Sequence, residues 1–569
     1  MKKLKELDLG NSDFKNIIEH DHYFVDKSLF IKEIIQSQKQ IVLLPRPRRF
    51  GKTLNLSMLK YFFDINEVGT EKLFQNLKIW QADIGVKGKM GKYPVIHISF
   101  KDAKKDSWKK TYEQVVSEII NLYKQHLYLL NDNLLYDFEQ IKFNDVLYGR
   151  ASEVVYENSL KDLTEYLYRF HHQSVVVLVD EYDTPIQAGY RQFYDEAISF
   201  MRTLLSGAFK DNSYLYKGVI TGILRVSRES IFTGLNNVSV YSVLDNQFSD
   251  QFGFTETEIR QILQDFNIQT DYEQIKKWYD GYKFGKTTDI YNPWSILNYV
   301  QDVESGFKPY WVNTSSDELL KEQLKDRDDN YTRELLLKLI NKETIEKDID
   351  ENFVFSDLGV NKELLWSLLI FSGYLTSYNK VGRKTYELGI PNYEIKTVFQ
   401  DIIINWLNTD VKLKQSLLLD TTKYLVTNKI DKFEKGFKSI IGDTFSYFDV
   451  KGEPENVYQS YVLGLLAIIG DDYIIKSNRE SGEGRYDILL IPHDRTKYGV
   501  VIEIKQIAKL ENEDKENFAK RINNKIKEAQ AQIEDNQYYK ELIDCKVANI
   551  IKLPIVFAGK EPFVCLLPC

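Results

Sequence analysis

At 569 residues the chain exceeds what a single hydrophobic core organises, so two to four domains are expected. With 43% hydrophobic and 28% charged residues it is neither low-complexity nor disordered. A formal net charge of -8 excludes a protein held on nucleic acid by bulk charge, while leaving room for a local basic groove.

The three cysteines, Cys545, Cys565 and Cys569, fit neither a zinc ribbon nor a disulfide framework. Free thiols in a reducing cytoplasm are expected. The opening Met1-Lys2-Lys3-Leu4 lacks the apolar core of a signal peptide, and no window approaches the ~18–20 apolar residues of a membrane span. The expectation is a cytoplasmic protein with no membrane partner.

In chain order, short β-rich runs alternate with helical stretches over residues 1–260, the pattern of βαβ construction. Gln40–Leu44, Val95–Phe100, Val175–Val179 and Gly218–Gly222 are nearly continuous in apolar or small residues, as buried parallel strands are. Leu54–Phe63 and Ser152–Phe170 have the amphipathic spacing of crossover helices. Residues 261–445 turn mostly helical, as a lid and connector. Helical spacing marks Glu256–Asp265, Tyr272–Tyr279, Asp317–Leu324, Thr332–Asn341 and Lys396–Asn408. Over 446–569 the pattern returns to mixed α/β: a helix at Pro454–Ile469, a hairpin from Tyr486 to Lys505, a charged helix near Glu516–Glu534, and strands near Val547–Ile551 and Ile555–Ala558.

The run Ile41 to Thr53 reads strand, loop, helix. Nucleotide phosphates need inward N–H groups at a helix N-terminus, a lysine for the terminal oxygens and a hydroxyl for Mg²⁺. Gly51, Lys52 and Thr53 supply these, and the loop Arg46-Pro47-Arg48-Arg49-Phe50 precedes them. Arg46 stands where the first glycine of such a loop is usual. The alternative is an ordinary basic loop capping a sheet. Against it, the apolar strand Val175–Val179 ends in Asp180 and Glu181. Acids at the carboxyl end of a buried strand lie where α/β sheets bind ligands. Asp180 would hold Mg²⁺ through water and Glu181 would polarise the attacking water. Thr221 ends another strand, where a terminal phosphate could be sensed. Arg225 and Arg228 follow it, as phosphate sensors or as surface ion-pair partners.

These phrases resemble the bacterial AAA-ATPase-like proteins. The likeness rests on Asp13-Phe14, Tyr23–Ile31, the Arg46–Thr53 loop, Asp180–Pro185, Phe232–Asn237 and Trp278–Tyr282. An arginine at the first loop position is usual for that family. The resemblance implies ATP as ligand and suits Tyr23–Ile31 to framing the nucleotide site. Trp278–Tyr282 and Tyr291-Asn-Pro-Trp294 read better as lid packing than as ligand contacts.

Near the C-terminus, Asp487 lies eight residues before Arg495 and Glu503 eight after it, so a simple hairpin sets the two carboxylates side by side. Lys505 faces the same way by alternation. Asp487, Glu503 and the Ile504 carbonyl could hold Mg²⁺ or Mn²⁺, with Lys505 orienting a nucleophilic water. By residues alone, a cross-strand ion pair on a solvated sheet is the competing reading. The stretches Glu455–Gln459 and Ser477–Asp487 resemble the PD-(D/E)XK nuclease domain that such ATPases carry. That likeness assigns Glu455 as the supporting helix acid and Gln532 as a motif glutamine. Gln459 stands where relatives often have histidine.

The expected fold is therefore α/β: a P-loop parallel sheet with helices on both faces, a helical lid and connector, and a restriction-endonuclease-like domain. The expected function is an ATP-regulated, metal-dependent nuclease acting on DNA or RNA, in defence against foreign elements. The alternative is a nucleotide-switch scaffold whose nuclease-like fold only binds a partner. An arginine from a neighbouring subunit would make assembly part of hydrolysis, so a homo-oligomer is a further expectation.

Overall fold

The computed structural model describes residues 5–131, 134–224, 237–311, 330–340, 342–352, 361–400, 415–445, 472–481, 484–508, 513–559 and 561–565, with 323, 357, 358, 402, 462, 463, 465, 466 and 469. The chain forms two compact units, Met1–Ser315 with Glu346–Glu394, and Ser316–Ile345 with Ile395–Cys569. Arg225, Arg228, Glu455 and Gln459 lie outside the described residues, as do Phe232–Asn236 and most of the spans Asp317–Leu324, 401–408 and Pro454–Ile469.

The first unit is built on five parallel strands: β1 (Ile41–Pro45), β2 (Val95–Ser99), β3 (Val175–Asp180), β4 (Leu215–Gly222) and β5 (Val238–Val240). Their order is β2-β3-β4-β1-β5. β1 and β3 are buried at every position, which is why they read as unbroken apolar runs. With β4 between β1 and β3, Leu44 pairs with Thr221 and Val179 with Ile220. The phosphate loop, Asp180 and Thr221 thus meet at one end of the sheet. Helix α1 (Lys52–Phe63) leaves that end directly after the loop.

The stretch read as helical from 256 onward does contain helices at Glu256–Asp265 and Tyr272–Tyr279. It also contains a small antiparallel sheet that the sequence reading missed: β6 (Phe254–Thr255), β7 (Tyr282–Phe284) and β8 (Thr287–Tyr291), in the order β6-β8-β7. These strands are too short for a period-two pattern to stand out. Helix α2 (Pro293–Gln301) follows, with Asn292 capping Ser295 N. An aromatic core of Tyr279, Tyr291, Tyr299, Ile259 and Ile262 joins these elements, with Tyr23 and Val25 packed on it.

The second unit carries a mixed five-stranded sheet in sequential order: β9 (Tyr473–Ser481), β10 (Gly484–Pro492), β11 (Tyr498–Ile507), β12 (Asn549–Ala558) and β13 (Glu561–Val564). Only β11 and β12 pair in parallel. Helix α3 (Lys515–Asp535) bridges them as a crossover must. The two strands expected around Pro554 are one continuous strand, β12. Pro554 O accepts from Cys565 N at 3.3 Å, beyond the last β12–β13 pair, Ile555–Val564. The N–H that proline lacks therefore faces the end of the short edge strand, where little pairing is lost.

Glu394 is buried in the first unit and accepts from Trp311 N at 2.6 Å and Ser295 Oγ at 2.7 Å. Burial pushes its carboxyl up to about 7, opposed by those hydrogen bonds. The folded state thus holds a proton that the unfolded chain releases near its ordinary value of 4.5. Its contribution to stability is fully present below that value and is lost as pH rises through about 7. Thermal unfolding of the first unit is expected to shift downward between pH 5 and pH 8. Glu394→Gln should flatten that slope, which calorimetry across the range would measure.

Candidate functional site

The phosphate loop turns on two left-handed residues, Arg49 (φ 67°) and Gly51 (φ 83°), the latter serving as N-cap of α1. Glycine adopts this conformation without a Cβ penalty. The loop is tied down on several sides. Trp311 Nε1 donates to Arg48 O at 3.2 Å, and the Phe50 ring meets Tyr282 edge-on at 5.0 Å. Lys52 Nζ is buried and donates to the carbonyls of Arg46 (3.1 Å) and Pro47 (3.2 Å), with Glu181 at 3.3 Å. Asp180 joins three elements: it accepts from Thr53 Oγ1 at 2.7 Å and from Thr221 Oγ1 at 2.5 Å. A cavity of about 670 Å³ opens above these groups, lined among others by Arg48, Arg49, Gly51, Lys52, Thr53 and Glu181.

Arg46 does something other than reach into this cavity. Its side chain is fully buried and turned into the core, where it donates to Pro45 O, Tyr241 O and Phe248 O. Its guanidinium packs over Phe252 at 5.1 Å and Phe284 at 5.5 Å. Burial lowers its pKa to about 9, with Asp245 opposing. Arg46 offers the cavity side only its backbone, and Phe50 likewise points into the packing. Trp294 lines the cavity while its Nε1 donates to Tyr310 O at 3.1 Å, and Arg49 lies over its ring at 4.0 Å. Tyr23, Val25 and Lys27 line a second cavity of about 110 Å³ that shares Gly51 and Leu54 with the first.

Three further features received no role from the sequence, although Asp183 lies within the Asp180–Pro185 phrase. Asp183 is buried and accepts from Ile223 N (3.0 Å) and Leu224 N (2.9 Å), fixing the chain just past Thr221. Burial, then the Glu181 charge, raises its carboxyl to about 6. Gly222 must be glycine, because a Cβ there would lie 2.5 Å from Asp183 Oδ1. Lys101 and Lys104 also line the large cavity.

In the second unit, Ile488 pairs with Ile502, Leu489 with Val501 and Leu490 with Val500, the register set by a turn centred on Arg495. One step further along, Asp487 stands across from Glu503. There the ladder ends, and Asp487 Oδ2 accepts from Ile504 N at 2.7 Å in its place. Within a strand, a residue's N–H and C=O point to the same side. The Ile504 carbonyl therefore also faces the edge beside Asp487. Glu503 is 3% exposed and its Oε1 accepts from Lys505 Nζ at 2.8 Å. Alternation puts Asp487, Glu503 and Lys505 on the face of Leu489 and Val501, which pack with Ile533 of α3. Gln532 adjoins Ile533, and its Oε1 is buried with no hydrogen-bond partner among the described residues. Tyr538, in the turn after α3, joins the same core. Burial raises its phenol, Asn536 opposes, and Glu503 and Asp487 add to the rise.

A family model described as predicted AAA-ATPase matches residues 8–232, and one for the PD-(D/E)XK nuclease superfamily matches residues 453–566. The chain joins an AAA-ATPase-like domain to a PD-(D/E)XK nuclease superfamily domain. A protein of Azotobacter chroococcum mcd 1, named "Uncharacterized protein in vnfD 5'region", is 27% identical over 416 residues, covering 70% of each chain. The AAA-ATPase-like match includes the loop, Asp180 and Thr221. The nuclease-superfamily match includes Asp487, Glu503, Lys505 and Gln532.

Divalent metal fits the donor chemistry of both domains. In the AAA-ATPase-like domain a hydroxyl and a carboxylate, Thr53 and Asp180, already touch. In the nuclease-superfamily domain Asp487 and Glu503 lie just beyond the last β10–β11 pair on their two strands, beside Ile504, and two carboxylates with a strand carbonyl make an all-oxygen set suited to Mg²⁺. No group of three or more His, Cys, Asp or Glu side chains forms a metal cluster among the described residues. No helix among them is long and apolar enough to cross a membrane.

Arg46→Gly would restore the usual first glycine of a phosphate loop, yet it empties a buried, stacked position. We expect it to destabilise the first unit by on the order of 3 kcal/mol without tightening nucleotide binding. Thermal unfolding and nucleotide titration of the same variant would check both halves.

Proposed function

We propose that the protein is a metal-dependent nuclease whose cleavage of DNA or RNA is governed by ATP binding and hydrolysis at its phosphate loop. The observation that carries this reading is the Asp487–Glu503–Lys505 constellation on one sheet face, with the Ile504 carbonyl at the same edge. An ion pair on a solvated sheet would explain it less well, because Glu503 is almost fully buried. A buried carboxylate is retained at a cost that burial of an apolar residue would avoid.

Asp487, Glu503 and Ile504 would hold Mg²⁺ or Mn²⁺, which lowers the pKa of bound water and offsets charge on the phosphate. Lys505 aligns the attacking water and stabilises charge growing on the phosphoryl oxygens. Gln532 would act as a positioning group and Glu455 as the supporting acid, both assigned to the site by family resemblance. Water attacks phosphorus, the phosphodiester P–O bond breaks, and the water proton leaves to solvent or to the departing oxygen.

At the phosphate loop, the N–H groups from Arg48 to Gly51 would cradle the phosphates, while Arg48, Arg49 and Lys52 supply charge. Thr53 and Asp180 would hold Mg²⁺, Thr221 fixes Asp180, and Glu181 would activate water. The Lys52–Glu181 pair at 3.3 Å acts as a resting latch. An entering triphosphate takes Lys52 and frees Glu181 for the attacking water. Defence against foreign nucleic acid is a role that suits a nuclease under nucleotide control.

With Mg²⁺ or Mn²⁺, the full chain is expected to cut at least one of single-stranded DNA, duplex DNA and RNA. Glu503→Ala and Lys505→Ala should each lower the rate at least 100-fold. Failure to cut any of the three, with metal shown to bind, would leave the domain as a partner-binding scaffold.

A further inference from the structure

The cavity over the phosphate loop holds more positive charge than the loop provides. Arg48, Arg49 and Lys52 come from the loop itself. Lys101 and Lys104 join them from the far side, against Asp8 and Glu181 as the acidic lining residues. Among the described lining residues, five cations face two carboxylates, a set suited to a polyanion rather than to a neutral or singly charged ligand.

The two lysines are placed by the sheet. β2 ends at Ser99, whose register partner is Asp180, and Phe100 N donates to Asp180 O at 3.0 Å. The chain then turns, with Ala103 N donating to Phe100 O at 3.0 Å. Phe100 and Ala103 are fully buried and anchor the turn, while Lys101 and Lys104 are exposed. Because β3 lies between β2 and β4, Asp180 and Glu181 stand between these lysines and the loop. A phosphate seated beside Glu181 would have Lys52 on one side and the β2 turn on the other.

We propose that Lys101 and Lys104 form a terminal-phosphate clamp, supplied within the same chain, that distinguishes nucleoside triphosphate from diphosphate. This rests on the phosphate-loop reading. The loop amides and Lys52 serve the phosphates common to both nucleotides, whereas the β2 turn meets the group that only the triphosphate has. Such a clamp supplies charge of the kind otherwise contributed by an arginine from a neighbouring subunit.

The test is equilibrium binding of Mg²⁺-ADP and of a Mg²⁺-ATP analogue with an imido β–γ bridge to the full chain. The native chain should bind the triphosphate analogue more tightly than ADP. The double variant Lys101→Ala/Lys104→Ala should lose at least about 10-fold in analogue affinity, keep ADP affinity within about 2-fold, and unfold at the native temperature. Lys101→Arg/Lys104→Arg should retain the preference. Equal losses for both nucleotides would reduce the lysines to general attraction, and no loss for either would remove them from the site. Both results overturn the clamp while leaving the loop reading intact. If the native chain binds neither nucleotide, the loop reading itself falls and the clamp falls with it.

Discussion

One carboxylate organises the N-terminal unit. Asp180 ends a strand that is buried throughout, and it accepts hydrogen bonds from Thr53 on one side and Thr221 on the other. Those partners lie on α1 and β4, which are distant in sequence. Strand order makes the meeting possible: β4 sits between β1 and β3, so loop, hydroxyl and acid reach the same sheet end. A charge held there without partners would be costly. The fixed hydroxyls lower that cost and hold the oxygen atoms where a metal ion and phosphate would need them.

The second unit solves a similar problem with a different device. Its carboxylates come from adjacent strands of a hairpin, and the ladder stops where they begin. Asp487 then takes over the role of a ladder acceptor by bonding Ile504 N. The end of β10–β11 pairing is thus both a structural boundary and the place where oxygen donors gather. Both units place acids where the pairing of two neighbouring strands ends, β3 with β4 at Val179 and β10 with β11 at Ile488.

Much of this was legible because the features are local or periodic. Unbroken apolar runs revealed β1, β3 and most of β4. The equal spacing of Asp487 and Glu503 about Arg495 gave the hairpin register, since a two-residue period leaves one way to pair them. What stayed hidden depends on distant partners. The inward turn of Arg46 requires carbonyls of Tyr241 and Phe248 and the rings of Phe252 and Phe284. Lys101 and Lys104 look like ordinary surface lysines until β2 is paired to β3. Trp294 follows Tyr291, which packs in the core from β8, but it opens α2, whose Pro293, Trp294 and Leu297 line the cavity. Pro554 misled for a simpler reason: a proline usually breaks a strand, and here its missing donor falls at an edge.

On the proposed function, nucleotide held at Lys52 and Asp180 controls phosphodiester cleavage at Glu503 and Lys505. The most direct measurement is the cleavage rate of one nucleic-acid substrate by the full chain in Mg²⁺, compared with no nucleotide, ADP, ATP and the imido analogue. Rates are expected to differ at least about 10-fold between nucleotide states in the native chain. In Lys52→Ala the rate should become the same in all four. Equal rates in the native chain under all four conditions, with nucleotide binding demonstrated, would contradict that control.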